Sequence, residues 1–484
     1  MVNQEIIKMG ILDTLDKIKN QTLTAEQVTK AYLEQIEKTK HKNAILEVFD
    51  DAVEKAKQVD EKIKNGQPVG KLAGVPFVIK DNMLYTGKKA TCASKFLENF
   101  VSPYTATAVQ KLIDNDAIIL GRANMDEFAM GGSNENSAYG NCLNAYDDQR
   151  VSGGSSGGSA VAVACNMCAA ALGSDTGGSV RQPSSFNGTV GVKPTYGRIS
   201  RYGIVAYASS LEQVGPITKN VTDNAYLLEI LAGEDIHDQT TRREKVDNYV
   251  TDIKDNINGL KIGYCKQLIE KFKQSEYYGK FQTAIEFMKN AGAQVFEIDI
   301  PKIELVLPSY YIIATAEATS NLGRYDGVKY TTRTCSSSDI NKLYIESRTA
   351  GFGDEVKRRI MLGNFVLSSG YFDAYYNKAK KVQQYIVKAF DKAFETCDAI
   401  IMPVTYGEAF KIGEKSSDPV SMYLEDMFTV IANVASIPAI SVPYETGKNN
   451  LPLGLQILTK QLNETTMYTV AKYVEQNYKG GKSE

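Results

Sequence analysis

Residues 151–180 read VSGGSSGGSAVAVACNMCAAALGSDTGGSV, and the fold turns on how this stretch is understood. It holds seven glycines and six serines, which as low-complexity sequence would form a flexible linker. The two Gly/Ser clusters, however, bracket an apolar helix-then-strand run that closes at LGSD, where a buried strand should end. Glycine in such places serves tight turns, positive φ and close approach of backbone N–H groups to a ligand. A phosphate-binding loop is the obvious rival, and it fails because no G-K-[ST] follows either cluster. The dinucleotide spacing G-x-G-x-x-G is absent here as well.

The flanks supply the rest of the architecture. VPFVIK (75–80) reads as a short buried strand, TATAVQKLIDN (105–115) as a helix and AIILG (117–121) as a second strand. That is a βαβ unit, so a largely parallel sheet covered by helices follows. KIGYC (261–265), a helix near 276–291 and AQVFEIDI (293–300) repeat the unit. Further apolar strands are expected at DAIIMPVT (398–405), AISVPY (439–444) and GLQIL (454–458), before a last helix over TTMYTVAKYVEQNY. Near the N-terminus, residues 24–38 read as an amphipathic helix. Thr24 and Gln27 form a capping-box pattern, and Val28, Ala31, Tyr32 and Ile36 recur at helical spacing. No repeat, long linker or clear boundary divides the chain.

A length of 484 residues allows about three average domains or one large α/β domain. The composition, 43% hydrophobic and 23% charged, excludes disordered, collagen-like and disulfide-stapled classes. Lys plus Arg number 55 against 57 acidic residues, so the chain's overall field is unsuited to gripping nucleic acid. The first residues lack the core of a signal peptide, and no apolar run reaches about 18 residues, which points to a soluble, cytoplasmic protein. Seven scattered cysteines suit a reducing compartment. Cys165 and Cys168 form a C-x-x-C inside an Ala/Val run, with no second pair or histidine to complete a metal site, and read as small core residues. There are two histidines, His41 in KTKHKN and His237 in GEDIHDQTT, neither in a motif with Ser or Cys. A hydrolase built on this sequence would therefore use a base other than histidine.

Three residues converge instead. Lys80 ends a buried strand, Ser155 sits in GGSSGGS, and Ser179 sits in DTGGS. Each alone is bland: a lysine at a strand end is ordinarily solvated, and a serine in a Gly-rich turn is ordinarily a turn former. Together, at spacings of 75 and 24 residues, they resemble the amidase signature family, through VIKDN, GGSSGGS and SDTGGSVRQPSSFNG. The resemblance covers roughly residues 10–475. A narrower likeness, to the branch formed by the A subunits of glutamyl-tRNA(Gln) amidotransferase, is carried by TCASKFLENFVSPY (91–104), DEFAMGGSNENSAYG (126–140), GFGDEVKRRIMLG (351–363) and MYLEDMFTV (422–430).

The resemblance implies one α/β/α domain over 1–484 with a central mixed, largely parallel sheet. Within it would lie an N-terminal helical segment (1–65), a signature core (66–220) and a C-terminal half (221–484) completing the sheet and pocket. It makes Ser179 the nucleophile, Ser155 a proton relay held after a cis Gly154–Ser155 bond, and Lys80 the base. Neutral lysine can serve if burial depresses its pKa, and the apolar residues Val75, Phe77, Val78 and Ile79 before it suit a desolvated amine. The backbone N–H groups of Thr176, Gly177, Gly178 and Ser179 resemble the family's oxyanion hole. Arg359 resembles a clamp for the carboxylate of glutamine, Asp426 an acceptor for its ammonium, and Tyr310 a further contact, with Tyr311 as an alternative equivalent. Ammonia would pass to a partner that amidates glutamate on tRNA(Gln). ATP and Mg2+ would belong to the B subunit of such a complex rather than to this chain, with a small C subunit to brace the interface. The enzymatic rival is a free-standing amidase for another small amide, and the non-enzymatic rival is an idle scaffold protein. Ser152, where a proline is common, and SSFNGTVG, in place of a more usual AAFCGVVG, depart from the pattern without touching the triad.

Overall fold

The computed structural model describes residues 2–415 and 418–480. Its centre is a single eleven-stranded sheet with strand order β1-β3-β2-β4-β6-β5-β10-β11-β9-β7-β8. In chain order these are β1 (Ile45–Val48), β2 (Pro76–Lys80), β3 (Ile118–Ala123), β4 (Ala170–Asp175), β5 (Val190–Lys193), β6 (Gln213–Thr218), β7 (Lys261–Cys265), β8 (Gln294–Ile298), β9 (Ala399–Pro403), β10 (Ala439–Thr446) and β11 (Pro452–Leu458). Strands β2 to β6, β9 and β11 are buried along their whole length, so both faces of the sheet are covered. The edge strands β1 and β8 are partly exposed.

Both βαβ units are present. β2 and β3 pair in parallel around the helix Thr107–Asp114, and β7 and β8 pair in parallel around the helix Tyr278–Asn290. Parallel pairing extends to β2–β4 and β7–β9. Between these two blocks the pairs β4–β6, β6–β5, β5–β10, β10–β11 and β11–β9 are antiparallel, which makes the sheet mixed. The helix Ala25–Lys38 begins at Thr24 with both capping-box hydrogen bonds formed, and buries Val28, Ala31, Tyr32 and Ile36 as its periodicity requires.

The helix Val306–Leu322 is apolar on most of its surface, and the helix Asp354–Leu367 crosses it. They meet at Gly363, where a Cβ would lie 2.0 Å from Thr319 Oγ1 and 2.1 Å from the Thr315 carbonyl oxygen. Thr319 Oγ1 in turn donates to the Ile360 carbonyl at 2.9 Å. In an open helix, Gly→Ala stabilises by about 1 kcal/mol. Here the backbone carbonyl has nowhere to go, so the sign reverses. Gly363→Ala is expected to lower the unfolding free energy by about 1–3 kcal/mol, read as a fall in the urea midpoint at unchanged m-value; an unchanged or higher midpoint would refute the close crossing.

Candidate active site

β4 ends at Asp175, and the chain turns through Thr176–Val180 into the short helix Arg181–Phe186. The carboxylate of Asp175 organises that turn. It accepts from the Gly178 N–H at 2.9 Å and the Val180 N–H at 3.2 Å, and from Arg181 Nε and Nη2 at 3.0 and 2.9 Å. Both side chains are fully buried. Burial works against the charge of Asp175, yet the guanidinium of Arg181, its hydrogen bonds and Asn433 hold the carboxyl at about 2. Gly178 has φ +129°, a conformation that excludes a side chain.

The glycine-serine loop lies against this turn. The Gly154–Ser155 peptide bond is cis, as the resemblance implies. Gly154 N–H donates to Gln182 Oε1 at 2.9 Å, and Ser156 N–H donates to the Ser179 carbonyl at 3.1 Å. Lys80, last residue of β2, projects into the space between loop and strand. Its Nζ is 2.8 Å from Ser155 Oγ, 2.8 Å from Ser156 Oγ and 3.0 Å from Ser174 Oγ. The residue is completely buried, and burial lowers its pKa from 10.5 to about 7, against the opposing charges of Asp126 and Asp175. Asp126 is itself buried and pushed up to about 6. Ser155 is also inaccessible, whereas Ser179 retains 8% exposure. The structure thus brings Lys80 and Ser155 into hydrogen-bond contact, and the Ser156 N–H to Ser179 carbonyl bond sets the loop that carries Ser155 against the turn that carries Ser179.

One expected element changes. The resemblance places Gly178 among the oxyanion donors, but its N–H is given to Asp175. The N–H groups of Thr176, Gly177 and Ser179 hold no such bond among the described residues and remain open. The reason is geometric: a carboxylate that caps the turn takes the donor that points back toward the strand.

The residues that the resemblance assigns to the substrate also assemble. Tyr310 lies over the turn, since a Cβ on Gly177 would come within 2.3 Å of its hydroxyl. Tyr311 instead donates to Asp426 Oδ2 at 2.5 Å. Its ring stacks on Tyr423 at 4.1 Å and lies 5.7 Å from the guanidinium carbon of Arg359. Burial raises Asp426 to about 7, while Tyr311 and Arg359 pull it down. Thr429 ties this cluster to the turn: its hydroxyl donates to the Gly177 carbonyl at 2.7 Å, and its N–H to the Asp426 carbonyl at 3.1 Å. A cavity of ≈ 210 Å³ lined by Gly131, Ser133, Asn136, Glu355, Arg359 and Tyr423 opens beside it.

The Amidase family profile matches residues 27–467. The chain belongs to the amidase family. The A subunit of glutamyl-tRNA(Gln) amidotransferase from Thermoanaerobacter pseudethanolicus is 48% identical over 474 residues, covering 98% of this chain and 97% of the relative. The crystal structure of an A subunit of glutamyl-tRNA(Gln) amidotransferase from Thermotoga maritima shares the fold at TM-score 0.81 and 40% identity, over 98% of this chain and 96% of that one. A peptide amidase from Stenotrophomonas maltophilia matches at TM-score 0.82 and 26% identity, over 98% and 97%. The amidase resemblance and its narrower A-subunit likeness are therefore borne out along the chain.

Several residues of this amidase site escaped the sequence reading. Ser156 and Ser174 share the amine of Lys80, and the signal was present in the second serine of GGSSGG and in LGSD. Asp126 opens DEFAMGG. Glu355 stands four residues before Arg359, a spacing that pairs side chains on one helix face. Tyr207 had no signal at all. His41 and His237 are exposed, and His237 stacks on Tyr202. Cys165 and Cys168 are free thiols, Cys168 buried and Cys165 partly so. Among the described residues no helix is long and apolar enough to cross a membrane.

Proposed function

We propose that this chain hydrolyses glutamine through Ser179, Ser155 and Lys80 and supplies the ammonia to a partner that converts Glu-tRNA(Gln) to Gln-tRNA(Gln). The observation that carries the reading is the buried amine of Lys80, held 2.8 Å from Ser155 Oγ with its pKa brought to about 7. An amide is a poor electrophile, so a hydroxyl nucleophile needs a base, and a neutral desolvated lysine is one. Ser155 and Ser156 are equally near that amine. The hydroxyl of Ser156, however, is committed to the backbone of Ser174, donating to its carbonyl at 3.2 Å and accepting its N–H at 3.3 Å. Ser155 is the one left to pass a proton onward. Ser179 attacks the amide carbon, its proton moving through Ser155 to Lys80. The oxyanion faces the N–H groups of Thr176, Gly177 and Ser179. The proton returns to the departing nitrogen, ammonia leaves, and water clears the acyl-serine.

Arg359 reads the carboxylate of glutamine and Asp426 its ammonium, whose charge keeps Asp426 ionised; Tyr310 closes the pocket over the turn. This reading gives the chain the B and C subunits of the amidotransferase as partners. ATP and Mg2+ are used on the B subunit, since no phosphate-binding loop is found in this sequence. The compartment is the cytoplasm, whose reducing conditions suit the free thiols of this chain. A free-standing amidase is the alternative, and the higher identity to A subunits than to the peptide amidase favours the first reading.

Ser179→Ala is expected to abolish glutamine hydrolysis while leaving the thermal midpoint and partner binding unchanged, because it removes one hydroxyl from a turn. Turnover near wild type would reassign the nucleophile.

Lys80 must be neutral to act. With its pKa lowered to about 7, glutaminase kcat/KM should rise with pH through about 7 and level off above it. An ordinary lysine would leave the rate climbing to about pH 10. Lys80→Arg should be inactive throughout, because a guanidinium stays protonated.

Substrate choice separates the two readings. Arg359→Ala should cost roughly 10- to 150-fold in kcat/KM for glutamine, the loss of a charge-assisted contact worth about 1.5–3 kcal/mol. Asp426→Asn should weaken glutamine use likewise. Neither should alter hydrolysis of an aliphatic primary amide that lacks both charged groups. Equal losses on both amides would place these residues in the fold instead.

A further inference from the structure

Arg359 is almost completely buried, at 4% exposure, and three tyrosine rings surround its guanidinium: Tyr207, Tyr311 and Tyr423, at 5.6, 5.7 and 5.5 Å. A long side chain in such a box could point several ways. Two hydrogen bonds select one of them. Nε donates to Glu355 Oε1 at 2.7 Å, and Nη1 donates to the Tyr207 hydroxyl at 2.7 Å. Nη2 makes no hydrogen bond among the described residues, so its two N–H groups remain for an incoming carboxylate. Glu355 is fixed in turn. Its side chain is only 10% exposed, Oε1 also accepts from the Tyr423 hydroxyl at 3.1 Å, and Oε2 is engaged by Arg358. Tyr423 then stacks on Tyr311, the donor to Asp426. Glu355 therefore stands at one end of a chain of contacts that reaches both charged readers of the substrate.

We infer that Glu355 is a positioning residue for amino-acid recognition, orienting Arg359 so that its free Nη2 meets the α-carboxylate of the substrate; this rests on the reading of Arg359 given above. Two effects of Glu355 oppose each other. Its charge offsets that of Arg359 and so weakens attraction for the substrate carboxylate, while its oxygen fixes the guanidinium plane. The direction in which Nη2 offers its hydrogens to a carboxylate depends on that plane. The orientation decides the outcome, because a misdirected fork loses the contact altogether.

The test uses the full-length chain co-expressed with the B and C subunits, with glutamine and an aliphatic primary amide as paired substrates. Glu355→Ala should raise KM for glutamine on the order of ten-fold, the cost of releasing one charge-assisted contact. It should leave kcat within about two-fold and the aliphatic amide untouched. Glu355→Gln retains an oxygen for Arg359 Nε and sheds the charge, so it should restore KM to near wild type. The double variant Glu355→Ala/Arg359→Ala should be no worse than Arg359→Ala alone, since one residue acts through the other. Additive losses in the double variant, or equal losses on both substrates, would mean that Glu355 only supports the fold, and would overturn the inference. An unchanged KM in Glu355→Ala beside a raised KM in Arg359→Ala would overturn it while sparing the reading of Arg359. If Arg359→Ala itself left glutamine use unchanged, both would fall together.

Discussion

A carboxylate and a guanidinium meet in the fully buried interior at the end of β4, and the site is arranged around their pairing. Asp175 holds the turn that presents Ser179, and Arg181 reaches past it to the far half of the chain. Arg181 Nη1 donates to the Thr429 carbonyl at 2.8 Å and engages Gln456 of β11, while Nη2 donates to Asn433 Oδ1 at 2.8 Å. Two ions taken out of water are costly, and removal of one from such a pair typically costs about 3–5 kcal/mol, because the other is left buried alone. The chain has accepted that liability where the glycine-serine segment must be locked to strands and loops more than two hundred residues distant.

The same scarcity of water sets the protonation of Lys80. Lys80 is lowered to about 7 chiefly by burial, in a pocket whose neighbouring carboxylates favour its charged form. Of those, Asp175 is already neutralised by Arg181, and burial raises Asp126 to about 6. Desolvation therefore prevails, and the amine can exchange protons near neutrality. A lysine on the same strand end in water would remain an ammonium and could not serve as a base.

Around Arg359 and Asp426, the residues to which the proposed function gives substrate recognition, shape comes from aromatic residues as much as from charges. Tyr207, Tyr311 and Tyr423 enclose Arg359, and the Tyr311 hydroxyl holds Asp426. Arg359 pairs with Glu355 while Asp426 is held by the Tyr311 hydroxyl, so these two opposite charges take different partners among the described residues. Tyr310 and Tyr311, adjacent in sequence, divide the work: one lies over the turn at Gly177, the other braces Asp426.

Much of this was legible beforehand, for local reasons. Apolar runs in 75–80, 117–121, 261–265 and 293–300 announce strands through burial alone, and Thr24 with Gln27 announces a helix start through capping. The glycine-serine clusters around Ser155 and Ser179 specify turns, because few other residues tolerate them. The short strands β5 and β6 were not legible, since sequences such as VGVK and QVGPIT carry no alternation to read. The helix Val306–Leu322 likewise shows no polar stripe. Only the tertiary structure decided that Gly178 gives its N–H to Asp175 and is lost as an oxyanion donor. It alone set Ser156 and Ser174 beside Lys80, and Tyr207 and Glu355 beside Arg359. Residue type and spacing determine what a segment can do locally. Which hydroxyl reaches an amine 75 residues away, and which carboxylate claims a donor, depend on strand register and shared burial, and those exist only once the sheet has formed.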